Sequence, residues 1–535
     1  MDNRQYQLFR EQWLSSALFS LRSPGKWSFV FLLKAVLCWL SLMSFSTVYN
    51  LAVFALIIVP INRQWVSRIR DILIWPLMIA LFYYDSYLPP VDSLLNNLTQ
   101  LAQFSFGYWL ELAERYISMA MIAWLVVAWI VFLYFQNIFR MGSVAFLAIV
   151  VTGIYFQTTD DQGPLVDIQP VVTEQVGDVS AETPASFIDE FYQAQNQWYK
   201  ELPALSLTDT NPFDILLVNM CSISWADIKA VGLENHRLFS EFDIILDNYN
   251  SVSSYSGPSA LRILQASCGQ KPHQQIYQPN RQCLLAENLA ALGFSAELFM
   301  NHDGEFDNFK SSLMSSGGLN TFRNIQQQLL PTMVAFDGAA VFDDKQVIEG
   351  WMSENEAGQA RFGFYNSLTL HDGNRRLNST QNSLQSYKER AVLMFEQLIS
   401  IIDQAEQQNR KLLLIVVPEH GAGLTGDGVQ LAGLREVPTY SLTHVPVLFK
   451  LIGADSANSK PIRVTKQTNQ NAISSLIINT LAQQPFSGGR YQPQALADAI
   501  PATEWVSENK DIRFMLWQDK QVLKLKGQNW VEIRD

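Results

Sequence analysis

Apolar residues are distributed unevenly along the 535-residue chain. They run almost unbroken from Trp27 to Phe156 and then fall into short bursts between polar, helix-period stretches. Trp27 to Ser46 carries one charge, Lys34, and approaches the ~20 residues that a helix needs to cross a bilayer. Leu51 to Ile61 is apolar but short, so a helix there must borrow Thr47 and Val48 or lie in a thinned bilayer. Ile72 to Leu88, Ile117 to Gln136 and Gly142 to Phe156 follow, with Tyr and Trp near their ends as in an interfacial belt. The pattern predicts a multi-span α-helical membrane domain over residues 1–157 with five crossings. Within it, Val91 to Tyr116 alternates Leu94, Leu95, Leu98, Leu101, Phe104 and Tyr108 with polar residues, which predicts an amphipathic helix on the outer membrane surface.

Residues 158–184 are acidic and rich in Gln, Asp, Thr and Pro without a sustained period, and read as a linker. A second domain, 185–535, alternates helical patterns with apolar runs at Asp214 to Met220, Phe242 to Asp247, Ala296 to Met300, Thr332 to Phe336, Phe362 to Thr369, Lys411 to Val417 and Val445 to Leu451. That alternation predicts an α/β domain built on a mostly parallel, buried sheet. Arg513 to Arg534 reads as a terminal hairpin pair turning at Asp519-Lys520 and Gly527-Gln528.

Composition sharpens this division. Only 16% of residues are charged, against ~25% in a usual soluble domain. The net charge of −12 excludes the basic footprint of a nucleic-acid binder. Arg4, Arg10, Arg22 and Lys26, then Arg63, Arg68 and Arg70, then Arg140 occupy alternate loops of the apolar half, which places the amino terminus in the cytoplasm and the second domain outside. No cleavable signal peptide is expected, the first span serving as anchor. Lys34 is expected to snorkel to the interface.

An outside location favours disulfides, and three of the four cysteines lie there. Cys268 and Cys283 are the natural pair, leaving Cys221 at the carboxyl end of the expected strand Asp214 to Met220. Cys221 reads either as a small buried hydrophobe or as a ligand at the sheet edge where parallel sheets present them. Glu419 and His420 follow the strand Lys411 to Val417 in Pro418-Glu419-His420-Gly421-Ala422-Gly423. As an isolated dipeptide they read as surface or capping residues. With Cys221 they form a sulfur, nitrogen and oxygen set that suits Zn2+ better than Mg2+ or Ca2+. Ser256, in Ser253-Ser254-Tyr255-Ser256-Gly257-Pro258, opens a helical pattern and reads as an N-cap or as a metal-activated nucleophile for phosphate or sulfate chemistry. Ser253 and Ser254 read as caps.

In that order these residues resemble the alkaline phosphatase superfamily, and within it the membrane-anchored phosphoethanolamine transferases. Leu217-Val218-Asn219-Met220-Cys221-Ser222, Ser254-Tyr255-Ser256-Gly257-Pro258, Ser267-Cys268-Gly269-Gln270, Leu370-His371-Asp372-Gly373-Asn374 and Val417-Pro418-Glu419-His420-Gly421 resemble the bacterial cellulose phosphoethanolamine transferases. The resemblance runs from about residue 210 to the carboxy terminus. It implies an alkaline-phosphatase-like α/β/α sandwich, a zinc held by Cys221, Glu419 and His420, Ser256 as metal-bound nucleophile, His371 beside the transferred phosphoryl group and Arg435 on its oxygens. Other superfamily members use an acidic first ligand, a threonine nucleophile and an Asp-His pair, so this departure implies one zinc rather than two.

The implied reaction transfers phosphoethanolamine from phosphatidylethanolamine to glucose 6-hydroxyls of nascent cellulose through a phosphoserine-type intermediate. It takes place in the periplasm of a bacterial inner-membrane protein that partners cellulose synthase subunits. His371, with an unperturbed pKa near ~6.5, is expected to shuttle protons. Tyr255 and His302 are candidate substrate contacts, with Trp351 and Tyr365 as further aromatic candidates for a glucan groove. Two alternatives stand beside this reading: a transferase or phosphodiesterase whose acceptor is lipid A, another glycan or water, and a structural subunit of the cellulose synthase machinery whose zinc is a fold staple.

Overall fold

The computed structural model describes residues 22–40, 43–61, 63–86, 102–116, 119–158, 169–170, 183–203, 213–353, 359–454, 460–487, 490–525 and 529–533. Its contacts divide the chain into two units, Met1–Asn97 with Ala113–Asp167, and Leu98–Leu112 with Ile168–Asp535. The expected linker at 158–184 falls almost entirely outside the described residues.

The first unit contains apolar helices at all five expected places: Trp27–Trp39, Thr47–Ile58, Gln64–Tyr84, Met119–Phe135 and Met141–Thr158. Their lengths correct the expectation of five separate crossings. At 13 residues, Trp27–Trp39 rises only about 20 Å, short of a ~30 Å hydrocarbon core. Thr47–Ile58 ends where Val59, before Pro60, must turn extended. Gln64–Tyr84 has the length, but Arg68, Arg70 and Asp71 occupy its first turns. Among the described residues no single helix is both long and apolar enough to cross a membrane; only Phe106–Glu114 together with Met119–Phe135, bent by 56°, meets the requirement, and by length and composition alone.

Lys34 does not snorkel. It is fully buried, with Nζ 2.6 Å from Asp85 Oδ2, and Asn50 Nδ2 donates to the same oxygen at 2.8 Å. A counter-ion at the end of the neighbouring helix makes burial cheaper than the stretch to water.

In the second unit β1 (Asp214–Met220), β2 (Ile244–Asn250), β3 (Ser295–Met300), β4 (Thr321–Phe322), β5 (Arg361–Ser367), β6 (Leu412–Pro418), β7 (His444–Ile452) and β8 (Ile462–Val464) form one sheet, in the order β8-β2-β7-β6-β1-β5-β3-β4. All neighbours are parallel except β7, which runs against β6 and β2. Every residue of β1 is buried because both faces of the sheet are covered. Ile215 and Leu217 enter one core with Leu261 and Ile477, whereas Leu216 and Val218 enter the other with Ile348 and Leu398. The period of two in the strand thus feeds two helical layers, a three-layer α/β/α arrangement with a mostly parallel sheet.

Several boundaries differ from expectation. The run Phe242 to Asp247 begins as a strand only at Ile244. Thr332 to Phe336 contributes the two-residue strand Met333–Val334 to a separate small antiparallel sheet with Ala340–Val341 and Arg375–Arg376. β4 and β8, of two and three residues, are too short for a periodicity to reveal. At the carboxy terminus Val506–Glu508, Arg513–Trp517, Lys520–Lys524 and Val531–Ile533 pair antiparallel; the hairpin of Arg513–Trp517 with Lys520–Lys524 turns through Gln518 and Asp519 at positive φ, one residue before the expected Asp519-Lys520. The other expected turn, Gly527-Gln528, lies outside the described residues. Cys268 and Cys283 are joined as expected.

The amphipathic stretch also departs from expectation. Its described helix is Phe106–Tyr116, and Leu98–Leu112 groups with the α/β unit. Phe104, Tyr108 and Leu112 pack with Met333, Phe336 and Val341, so this apolar face meets protein.

Candidate active site

β1 and β6 are parallel neighbours whose register ends at Met220 opposite Pro418, so the residues that follow them emerge side by side. Cys221 leaves the first strand, and Glu419 and His420 leave the second. Glu419 N donates to Met220 O at 2.8 Å and Ile223 N to His420 O at 2.7 Å, which fastens the two exits together. Asp227, buried in the short helix Trp225–Ala230, accepts from Ala422 N at 2.7 Å, Leu424 N at 3.1 Å and Ser224 Oγ at 2.8 Å. Gly421 is required here, since an added Cβ would sit 2.7 Å from Ser224 Oγ and 2.9 Å from Asp227 Oδ2.

The ligand atoms of Cys221, Glu419 and His420 lie within 4.8 Å of one another, all buried. Ser256, first residue of the helix Ser256–Leu264, places Oγ 3.2 Å from His420 Nε2 and 3.5 Å from Cys221 Sγ. His420 Nδ1 lies 2.8 Å from Gly421 O and donates to it, which leaves the Nε2 lone pair facing the cluster. Burial, then the Arg435 cation, pushes the His420 pKa far down, so the ring is neutral. Burial, then Glu419, pushes the Cys221 thiol up to about 12. Without a cation the sulfur keeps its proton.

Glu419 supplies the test of fit. Its Oε1 accepts from Asn366 Nδ2 at 2.6 Å, while Oε2 is buried and makes no hydrogen bond of good geometry. A buried carboxylate oxygen held only by poorly aligned contacts with the Ser256 hydroxyl and the Cys221 thiol is costly. Here it sits in a sulfur, imidazole and carboxylate set that a zinc ion would satisfy. The residues fit the metal.

His302 is not a cleft residue. It is buried, its Nδ1 accepts from Gly304 N at 3.1 Å, and its Nε2 donates to Asn366 Oδ1 at 2.8 Å. Asn366 in turn holds Glu419 and Asn219 Oδ1, so His302 acts on the ligand through Asn366. Trp351 and Tyr365 are buried as well, bonded to Glu297 and Asp344, and line no groove. Tyr255 alone of the aromatic candidates is exposed, at 38%, with Oη donating to Glu436 Oε2 at 2.6 Å. Ser253 and Ser254 do not cap the helix: Ser254 Oγ donates to Arg435 O at 2.6 Å, and Asn509 bonds both serines.

Arg435 stands at the rim. Its Nη1 donates to Ser222 Oγ at 3.0 Å, and its Nη2 lies 3.4 Å from His371 Nε2. His371 Nδ1 donates to Asp372 O at 2.6 Å, so the unprotonated Nε2 faces the guanidinium. Burial, then Arg435, lowers the His371 pKa to about 3. The near-neutral titration expected of a free histidine is therefore lost, and His371 serves as a neutral acceptor. Cys221, Ser256, Glu419, His420, His371, Arg435 and Tyr255 are gathered at one end of the sheet, with His302 behind them. Asn366, Asp227 and Asn509 carried no spacing signal, and only the register of the parallel strands brings them in.

The family description "Cellulose biosynthesis protein BcsG C-terminal domain" matches residues 170–530, and "Cellulose biosynthesis protein BcsG N-terminal domain" matches 27–154. The cellulose biosynthesis proteins BcsG of Salmonella typhimurium and Escherichia coli are each 34% identical over 543 residues, covering 95% of this chain and 96% of theirs. Among solved structures, the zinc complex of the C-terminal periplasmic domain of EcEptC from Escherichia coli aligns at 13% identity over 58% of this chain and 94% of its own, with a TM-score of 0.43. An alkaline phosphatase superfamily protein from Vibrio parahaemolyticus aligns at 12% identity over 66% of this chain and 88% of its own, with a TM-score of 0.45. With both halves of the chain matched and nearly its whole length shared with two relatives, the chain belongs to the cellulose biosynthesis protein BcsG family.

Proposed function

We propose that this chain is a zinc-dependent phosphoethanolamine transferase of the alkaline phosphatase type, acting on cellulose as it emerges from its synthase. The observation that carries the reading is a hydroxyl, Ser256 Oγ, 3.2 Å from His420 Nε2 and 3.5 Å from Cys221 Sγ, beside a buried Glu419 oxygen that makes no hydrogen bond of good geometry. A structural zinc site normally closes with four Cys or His ligands, whereas three mixed ligands and a reachable serine suit an open site.

Cys221, Glu419 and His420 would hold the zinc, which when bound supplies Lewis-acid polarisation and lowers the pKa of a nearby hydroxyl. Ser256 Oγ attacks the phosphorus of phosphatidylethanolamine. The bond from phosphorus to the diacylglycerol oxygen breaks, and that oxygen takes up the serine proton. A glucose 6-hydroxyl then attacks the phosphoethanolamine-serine, restoring Ser256. Arg435 places its charge on the phosphoryl oxygens as negative charge spreads over them. Neutral His371 accepts a hydrogen bond from Arg435 or from the acceptor hydroxyl, and Tyr255 lies at the rim where the incoming sugar packs. The amino-terminal helices anchor the chain in the inner membrane next to its lipid donor, with the amino terminus cytoplasmic, the α/β domain periplasmic and synthase subunits as neighbours.

The test supplies purified full-length protein with zinc, phosphatidylethanolamine in mixed micelles and soluble cello-oligosaccharides. The expected product carries phosphoethanolamine on a glucose 6-oxygen and is absent with Ser256→Ala or a chelator. A lipid A acceptor modified in preference to the glucan would move the assignment to another substrate, and full product from Ser256→Ala would end it.

A further inference from the structure

The loop that carries His371 is held from two sides. From within the α/β domain, Arg390 Nη1 donates to His371 O at 3.2 Å and Arg390 Nη2 to Ser383 O at 2.8 Å. The other side is held by the helix Phe106–Tyr116, which is encoded between the apolar helices more than 260 positions earlier.

Its contacts are dense and polar. Tyr108 Oη donates to Asp372 Oδ2 at 3.0 Å. Glu111, buried, takes Arg375 Nη2 at 2.8 Å and Nε at 3.0 Å on one oxygen and Ser383 N at 3.0 Å on the other. Arg375 Nη2 also reaches Gly107 O at 2.8 Å, and Ser105 N donates to Phe336 O at 2.9 Å. Phe336 stacks on the His371 ring, centroids 4.2 Å apart, and meets Tyr108 edge-on at 6.1 Å. The fit is close enough to require glycine at 373: at φ +82° a Cβ there would sit 2.5 Å from Phe336 and 2.7 Å from the Tyr108 ring. Tyr108 thus holds Asp372 and Phe336, which follow and buttress His371, while Glu111 holds Arg375 and Ser383 of the same loop; His371 Nε2 faces Arg435.

We infer that the helix Phe106–Tyr116 is a built-in brace of the phosphoryl-binding end of the site, with Tyr108 and Glu111 as positioning residues for His371. Neither touches the substrate; they act through Asp372, Arg375 and Phe336. The inference rests on the proposed transfer only for its catalytic readout. It goes beyond that reading in making a segment of the amino-terminal half part of the active site, so the α/β domain by itself holds an incomplete one. Loss of the brace lets the loop swing while the zinc ligands, which hang on β1 and β6, stay in place.

The experiment uses the full-length protein with Tyr108→Phe, Glu111→Gln and Glu111→Ala. Hydrogen–deuterium exchange across residues 368–376 is expected to quicken about tenfold in Glu111→Ala, the effect of removing charge-assisted bonds, and less in Glu111→Gln, which keeps an acceptor for Ser383. Exchange around the Cys268–Cys283 loop and the zinc content are expected to stay at wild-type values, while kcat for transfer falls roughly tenfold and KM for the lipid holds. Unchanged exchange in both the Glu111→Ala and Tyr108→Phe proteins would overturn the brace. If wild-type protein transfers nothing, the proposed function fails, and the exchange measurement still decides the brace.

A cross-link gives a second measurement. Ser105→Cys with Gly338→Cys places the two Cβ atoms 3.9 Å apart, a separation a disulfide spans; Gly338 stands at φ +94°, where Cys is strained, so the Gly338→Cys single variant serves as the folding control. Oxidation is expected to cross-link this pair in the native protein and to slow loop exchange. Failure to cross-link in a folded, zinc-loaded protein would show that the helix does not dock.

Discussion

Asn366→Leu isolates the support of the metal ligand from the ligand itself. Asn366 is fully engaged: it donates to Glu419 Oε1 at 2.6 Å and to Asn219 Oδ1 at 2.9 Å, and accepts from His302 Nε2 at 2.8 Å. Leucine has nearly the same shape and none of these bonds. A hydrogen bond to a charged group contributes about 1.5–3 kcal/mol. At 1.4 kcal/mol per tenfold, its loss from Glu419 weakens zinc binding about 10- to 100-fold, the range seen when second-layer partners of metal ligands are removed. Unpaired Asn219 and His302 atoms lower stability by a further ~2–4 kcal/mol, within the margin of an ordinary domain. The assay is competition for zinc against a chelator of known affinity at fixed pH, with thermal unfolding recorded in parallel. His302→Phe, one bond further out, is expected to weaken zinc about threefold to tenfold. A folded Asn366→Leu protein with wild-type zinc affinity would refute the claim that Asn366 orients Glu419 for a metal.

Other consequences follow from individual contacts. Cys221→Ala removes the sulfur ligand and is expected to lose zinc and transfer together; stoichiometric zinc in that variant, measured by atomic emission, would remove Cys221 from the ligand set. His273 is buried with its pKa lowered to about 4, chiefly by desolvation and then by Arg262. Because the unfolded chain binds that proton more readily, its contribution is fully present above about pH 6.5 and is lost as pH falls towards 4, by at most about 3 kcal/mol. Unfolding of His273→Gln beside wild type should show that difference shrink across the same window, and parallel curves would contradict it. Lys34→Met leaves Asp85 buried without its cation and is expected to cost about 3–5 kcal/mol in micelles, most of it recovered in Lys34→Met with Asp85→Asn. An additive double variant would mean the pair is not coupled.

What was legible in the sequence was whatever lies at a strand end or in a local period. β1 and β6 are largely apolar runs, so the sequence places Cys221 and Glu419-His420 at strand exits, whereas their proximity comes from the strand order. Asn366 sits inside such a run, 53 positions from Glu419, and nothing in its neighbours marks it; strand order alone makes it a partner. His302 misled because a histidine in Asn-His-Asp-Gly looks like exposed loop chemistry, yet the loop folds inward and its imidazole is buried against Asn366. The helix Phe106–Tyr116 misled for a related reason. A period of apolar residues specifies that one face must be covered and is silent on whether lipid or Phe336 covers it. Lys34 in a run of apolar residues could be read only against water, because its counter-ion is 51 positions away.

In the proposed transfer Ser256 becomes covalently charged with phosphoethanolamine at a zinc site. Intact-protein mass spectrometry of full-length protein, mixed with phosphatidylethanolamine and no acceptor, detects that intermediate. One phosphoethanolamine adduct per chain is expected, mapped to Ser256, abolished by a chelator and restored by zinc. Zinc-loaded, folded protein that carries no adduct, or carries it on another residue, would contradict it.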